Sequence, residues 1–125
     1  MQNHDVSQST GNLRISREVI ATIARYAALE IEGVVSMASF ATNLKGWLLK
    51  KQSARPISIE LNDDVAVICL HINVRSGVNI PKVSENVQRA AKEAVQNMTG
   101  IVVSRVNIVI AGIVFDEPLR EQPEE

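Results

Sequence analysis

Two hydrophobic periodicities alternate along the chain. Val19, Ile20, Ile23, Ala24, Ala27 and Ile31 recur every three or four positions, the spacing that lines one side of an α-helix. Ser16 suits the N-cap, because its hydroxyl can accept from a free first-turn amide. Ile15 and Ile20 have the spacing of a hydrophobic staple. Gly33 is the expected stop. The pattern predicts a helix over residues 16–31, a short strand before it at 13–15 and another after it at 34–37.

Past Pro56 the period changes to two. Ile57, Ile59 and Leu61 alternate with Ser58 and Glu60, and Asn62, Asp63 and Asp64 supply turn chemistry. The returning strand, residues 65–75, puts Ala66, Ile68, Leu70, Ile72 and Val74 on one face. Val67, Cys69, His71, Asn73 and Arg75 fall on the other. The pair reads as a β-hairpin.

Gly77 breaks this strand, and Pro81 fits the first turn of a second helix. Its apolar stripe is Val83, Val87, Ala90, Ala91, Ala94, Val95 and Met98, and Gly100 ends it. A last strand over 101–111 shows Val106, Ile108 and Ile110 on one face and Arg105, Asn107 and Val109 on the other.

Two amphipathic helices can cover one face of such a sheet. The expected fold is therefore α+β, a two-layer sandwich with both helices on one face of a small mixed or antiparallel sheet. A parallel crossover from 65–75 through the second helix to 101–111 should be right-handed. The opposite face would carry Ser58, Glu60, His71, Asn73, Arg75, Arg105 and Asn107. Such a polar platform suits either plain solvation or a protein contact, and His71, Asn73, Arg75, Arg105 and Asn107 are its candidate interaction residues. The expected organisation is a flexible tail over 1–11, one domain over 12–115, and an acidic tail over 116–125 with two prolines and five acids against one arginine.

Residues 40–55 stand apart. Between Glu32 and Glu60 there is no acid, while Lys45, Lys50, Lys51 and Arg55 are basic. Phe40, Leu44, Trp47 and Leu48 have helical spacing and include the chain's single tryptophan. A basic amphipathic stretch with tryptophan can dock on a membrane surface or a partner. The plainer alternative is that its apolar side packs on the domain, and Gly46 weakens a helix there.

Composition narrows the chemistry. Of the 125 residues, 46% are hydrophobic and only 3% aromatic, so the core must be aliphatic and offers few rigid anchors for a ligand pocket. A net charge of −1 argues against generic nucleic-acid binding, which needs a cationic surface. The single cysteine, Cys69, allows no internal disulfide and fits a reducing compartment. The start of the chain lacks the apolar core of a secretory signal, and no apolar run is long enough for a membrane-spanning helix.

Catalytic and ligand-binding motifs are missing. No phosphate loop or dinucleotide fingerprint occurs. Cys69 and His71 share a strand face, but two ligands do not make a metal site. Asp63 and Asp64 are better read as turn residues than as a catalytic carboxylate pair. His71 has no nucleophile and orienting group to work with. The expectation is no catalytic residue, no metal and no cofactor.

Two blocks together resemble a known family. Residues 11–34, GNLRISREVIATIARYAALEIEGV, carry Ile15, Ser16, Val19, Ile23, Ala24, Ala27, Gly33 and Val34 in the family's order. Residues 65–112 add Gly77, Gln88, Met98–Thr99–Gly100, and Val106–Asn107–Ile108 with Ile110. Over roughly 11–115 the chain resembles the alkaline-shock and general-stress proteins found mainly in Gram-positive bacteria. The resemblance implies a cytoplasmic, non-enzymatic protein of envelope homeostasis and cell envelope stress response. It would sit at the inner face of the membrane through a partner, in some members a membrane-anchored one; self-association into oligomers is a separate expectation, drawn from the polar sheet face. A regulatory subunit of an envelope or lipid-synthesis enzyme is the alternative. RNA binding ranks below both, because the candidate face has no aromatic side chains for base stacking.

Overall fold

Every β-strand pairs with β3 (Val65–Arg75) in the computed structural model, which describes residues 10–38 and 56–115. Its alternation becomes two unequal faces. Ala66, Ile68, Leu70, Ile72 and Val74 are completely buried, while Val67, Cys69, His71 and Asn73 are only half-buried. A strand so long and so regularly alternating can be central only if both its edges are paired, and they are.

One edge is shared by two strands. β2 (Ile57–Asn62) runs antiparallel to the first half of β3, with Ser58 beside Cys69 and Glu60 beside Val67. β1 (Val34–Met37) runs antiparallel to the second half, with Ser36 beside Asn73 and Met37 beside Ile72. The turn between β2 and β3 rests on Asp63, which holds a left-handed φ of 57°, a conformation that Asp tolerates better than most residues. The other edge of β3 takes β4 (Val102–Val114), parallel to it and reached through a helix. The sheet is thus mixed and four-stranded.

Helices α1 (Arg17–Leu29) and α2 (Ile80–Thr99) pack on the buried face of this sheet. α1 is capped by Ser16, whose Oγ accepts from Val19 N at 3.2 Å. α2 is capped by Asn79, whose Oδ1 accepts from Lys82 N at 3.2 Å, and it has Pro81 in its first turn. Ile20, Ala24 and Ala28 from α1 meet Val83, Val87, Ala91 and Val95 from α2 over the sheet's inner side chains. The small alanines let two helices and a sheet approach closely without aromatic filling. This is the expected α+β two-layer sandwich.

Three expectations need correction. Residues 13–15 do not form a strand. Both edges of β3 are already occupied, so Leu13 is left 81% exposed and Ile15 packs on the core ahead of α1 instead. α1 ends at Leu29 with Glu30 as its cap, two residues before the predicted end, and Gly33 lies beyond it in the turn to β1. β4 continues to Val114 rather than 111. The two expected tails, apart from Thr10 and Gly11, and residues 40–55 lie outside the described residues.

Candidate functional site

The face of the sheet turned away from the helices is the candidate surface. Register assigns its members. On β3 they are Val67, Cys69, His71, Asn73 and Arg75; on β2, Ser58 and Glu60; on β4, Arg105, Asn107 and Val109. Cys69 lies at the centre, with Ser58 on one side and Asn107 on the other, and it is a free thiol.

His71 marks the place where the edge changes hands. Its carbonyl accepts from Ala38 N at 2.9 Å, and its own N–H donates to the Pro56 carbonyl at 2.8 Å. β1 therefore ends and β2 begins at the same point on β3. Residues 39–55 are inserted into what is otherwise one continuous edge, and both of their attachment points adjoin His71. Periodicity could not reveal this, because β1 and β2 look like separate strands in sequence.

Asn73 serves the fold rather than projecting as a free contact. Its Nδ2 donates to Ser36 Oγ at 3.0 Å across to β1. On the β4 side its Oδ1 lies over Gly112, where a Cβ would come within 2.8 Å. The side chain so bridges all the way from β1 to β4.

The two arginines belong to opposite ends of the face. Arg105 pairs with the position of Val67, whereas Arg75 pairs with that of Val114. Eight residues of β3 separate them, about 26 Å at ~3.3 Å per residue. Arg75 has Glu32 as a loose partner at 3.9 Å, with the two side chains 47% and 89% exposed, and a solvent-screened pair of this kind contributes little to stability. Arg105 instead joins Arg89 and Lys92 of α2 along an open groove of about 470 Å³ beside β4, with Glu85 the one acid there. Reasoning by alternation alone put the arginines on the right face but missed the distance between them.

Phe40, Leu44, Lys45, Trp47, Leu48, Lys50 and Lys51 lie outside the described residues. Asp63 and Asp64 line an open crevice of about 450 Å³ with Arg14, Leu61 and Thr99, at the far end of the molecule from His71's neighbours on β1. Among the described residues no three His, Cys, Asp or Glu side chains converge as a metal site. No helix among them is long and apolar enough to cross a membrane.

Known proteins share this chain's pattern. The model of the alkaline-shock protein 23 family, described as having a cell envelope-related function, matches residues 5–115. The uncharacterized protein YqhY of Bacillus subtilis is 37% identical over 112 residues, covering 89% of this chain and 83% of that protein. The uncharacterized protein YloU of the same organism is 33% identical over 111 residues, covering 86% and 92%. A solved MamM CTD variant superposes with a TM-score of 0.46 at 12% identity, covering 80% of this chain and 95% of that one, a likeness too partial to bear on function.

Proposed function

Because the chain belongs to the alkaline-shock protein 23 family, whose function is cell envelope-related, we propose that it is a non-enzymatic protein of envelope homeostasis and stress response that works by binding other proteins at the inner face of the cytoplasmic membrane. The uncovered sheet face would be the partner surface, and residues 40–51 would supply a second contact to a membrane or a membrane-anchored partner.

The observation that carries this reading is the hydrogen-bonding around His71. The carbonyl and N–H of one residue hold the two ends of the 39–55 insertion, at Ala38 and Pro56. The points where the chain leaves for, and returns from, the basic, tryptophan-bearing segment therefore both lie beside the polar face. Ser58, Glu60 and Asn107 are exposed there, and Cys69 and His71 are half-buried between them. Polar platforms of this kind suit contacts that form and dissolve.

The test is the double substitution Ser58→Arg with Glu60→Arg. Both side chains are exposed on β2 and outside the core, so the fold should survive. Tagged parent and variant proteins are used to recover partners from the native host with its membrane fraction retained. The proposal expects a protein bound by the parent to be lost by the variant. Equal recovery by both would remove this face as the partner surface. Recovery of one soluble enzyme in fixed proportion would favour the regulatory-subunit alternative.

A further inference from the structure

β4 is an edge strand whose two halves are treated differently. Backbone groups of alternate residues point to opposite edges of a strand. Three contacts fix which residues of β4 point outward. Val103 N–H donates to Gln96 Oε1 at 2.9 Å, and the Val106 carbonyl accepts from Gln88 Nε2 at 3.0 Å, both from α2. The Val114 carbonyl turns the other way, accepting from Ser76 N at 2.9 Å at the end of β3. With the register shifts near Ser104 and Ala111, the outward set is Val103, Val106, Ile108, Ile110 and Ile113. Glutamines of α2 therefore take up one outward group at each of the first two positions. Among the described residues nothing pairs with the outward N–H and C=O groups of the last three.

That open half carries almost none of the usual protection. Edge strands are commonly guarded by lysine, proline, shortness or a covering element. Residues 106–115 contain no charge and no proline, and only the bulge at Ala111 interrupts them. They end in exposed apolar side chains: Ile113 is 46%, Val114 42% and Phe115 70% exposed, with Val109 at 41%.

We propose that this half-edge is a homodimer interface, in which residues 107–111 of two copies pair antiparallel about a two-fold axis at Val109. The two sheets would join into one. Charge selects a second copy as the occupant. A charged peptide finds no counter-charge along 106–115, whereas another copy brings an equally neutral and apolar edge. A two-fold contact is also self-complementary by construction. The nearest charge, Arg105, falls opposite the apolar 113–115 end of the second copy, so no like charges meet. This deepens the contact-protein reading by naming one partner. It is separable from that reading, because Ser58 and Glu60 lie on β2, across the sheet from β4.

The full chain is studied by sedimentation velocity over a concentration series, with Val109→Lys and Val109→Glu alongside. Val109 lies on the uncovered face, so either change should leave the fold intact by circular dichroism. The parent should dimerise. Each single variant sets like charges against each other at the two-fold axis and should weaken self-association by about tenfold or more. An equimolar mixture of the two variants should restore a dimer. Amide exchange gives a second, variant-free test: Ile108 and Ile110 should exchange slowly in concentrated parent and faster on dilution. A parent that stays monomeric at every concentration overturns the proposal. So does a dimer that Val109→Lys leaves intact while Ile108 and Ile110 exchange freely, since that dimer uses another surface.

Discussion

Gly33 holds the chain in a conformation open to few other residues, at φ +103°, and in a space that admits no side chain. A Cβ built there would lie 2.9 Å from Val83 Cγ2. Gly33→Ala combines a left-handed penalty of about 1–2 kcal/mol with overpacking of about 1–3 kcal/mol. Urea denaturation should show a loss of roughly 2–5 kcal/mol; a change within error would mean that the α1–β1 turn relaxes freely. The glycine was legible in sequence as a helix stop, but its contact with α2 was not, because nothing local says which side chain will cover it. Asn73 shows the same boundary. Alternation assigns it to the uncovered face, yet its bond to Ser36 depends on β1 lying beside that part of β3, which is a matter of register.

At the level of elements, α2 both covers the core and guards an edge. Gln88 and Gln96 leave its polar side to meet backbone groups of β4 that would otherwise face a helix unpaired. Gln96→Leu should strand the Val103 N–H and cost about 1–3 kcal/mol. The check is native-state amide exchange, in which Val103 should lose protection while residues of β3 keep theirs. Retained protection at Val103 would show that the glutamine is dispensable. The helices and the β2–β3 hairpin were readable because each is specified by its own residues: caps, a 3.6-residue stripe, a two-residue period with a turn. The pairing of β4 was not, since a parallel neighbour reached through a helix has no turn to set its register. That is why Arg75 and Arg105 could be assigned a common face and still lie a strand's length apart.

In the molecule as a whole, both helices lie on one face of the sheet, and among the described residues no element covers the other. The family relationship and the two-layer α+β design were both legible, one from ordered landmarks and the other from amphipathicity. That the chain leaves for residues 39–55 and returns from them beside one residue of β3 emerged only with the three-dimensional pairing around His71. If that segment contacts a membrane, Trp47→Ala should spare thermal stability and reduce co-sedimentation with anionic vesicles. Lys45, Lys50 and Lys51 should each add on the order of 1 kcal/mol that fades with salt. A loss of about 3–5 kcal/mol in stability, with no salt-sensitive vesicle binding by the parent, would assign Trp47 to packing instead.

The central claim, that the uncovered sheet face is occupied by a partner, has a reporter built into it. Cys69 is the chain's single cysteine and lies half-buried at the middle of that face, between Ser58 and Asn107. The direct measurement is its rate of alkylation in native extract with membranes retained, relative to the purified protein. The account predicts slower labelling in the extract, restored to the purified rate by Ser58→Arg with Glu60→Arg. Equal labelling of parent protein in both settings would contradict it.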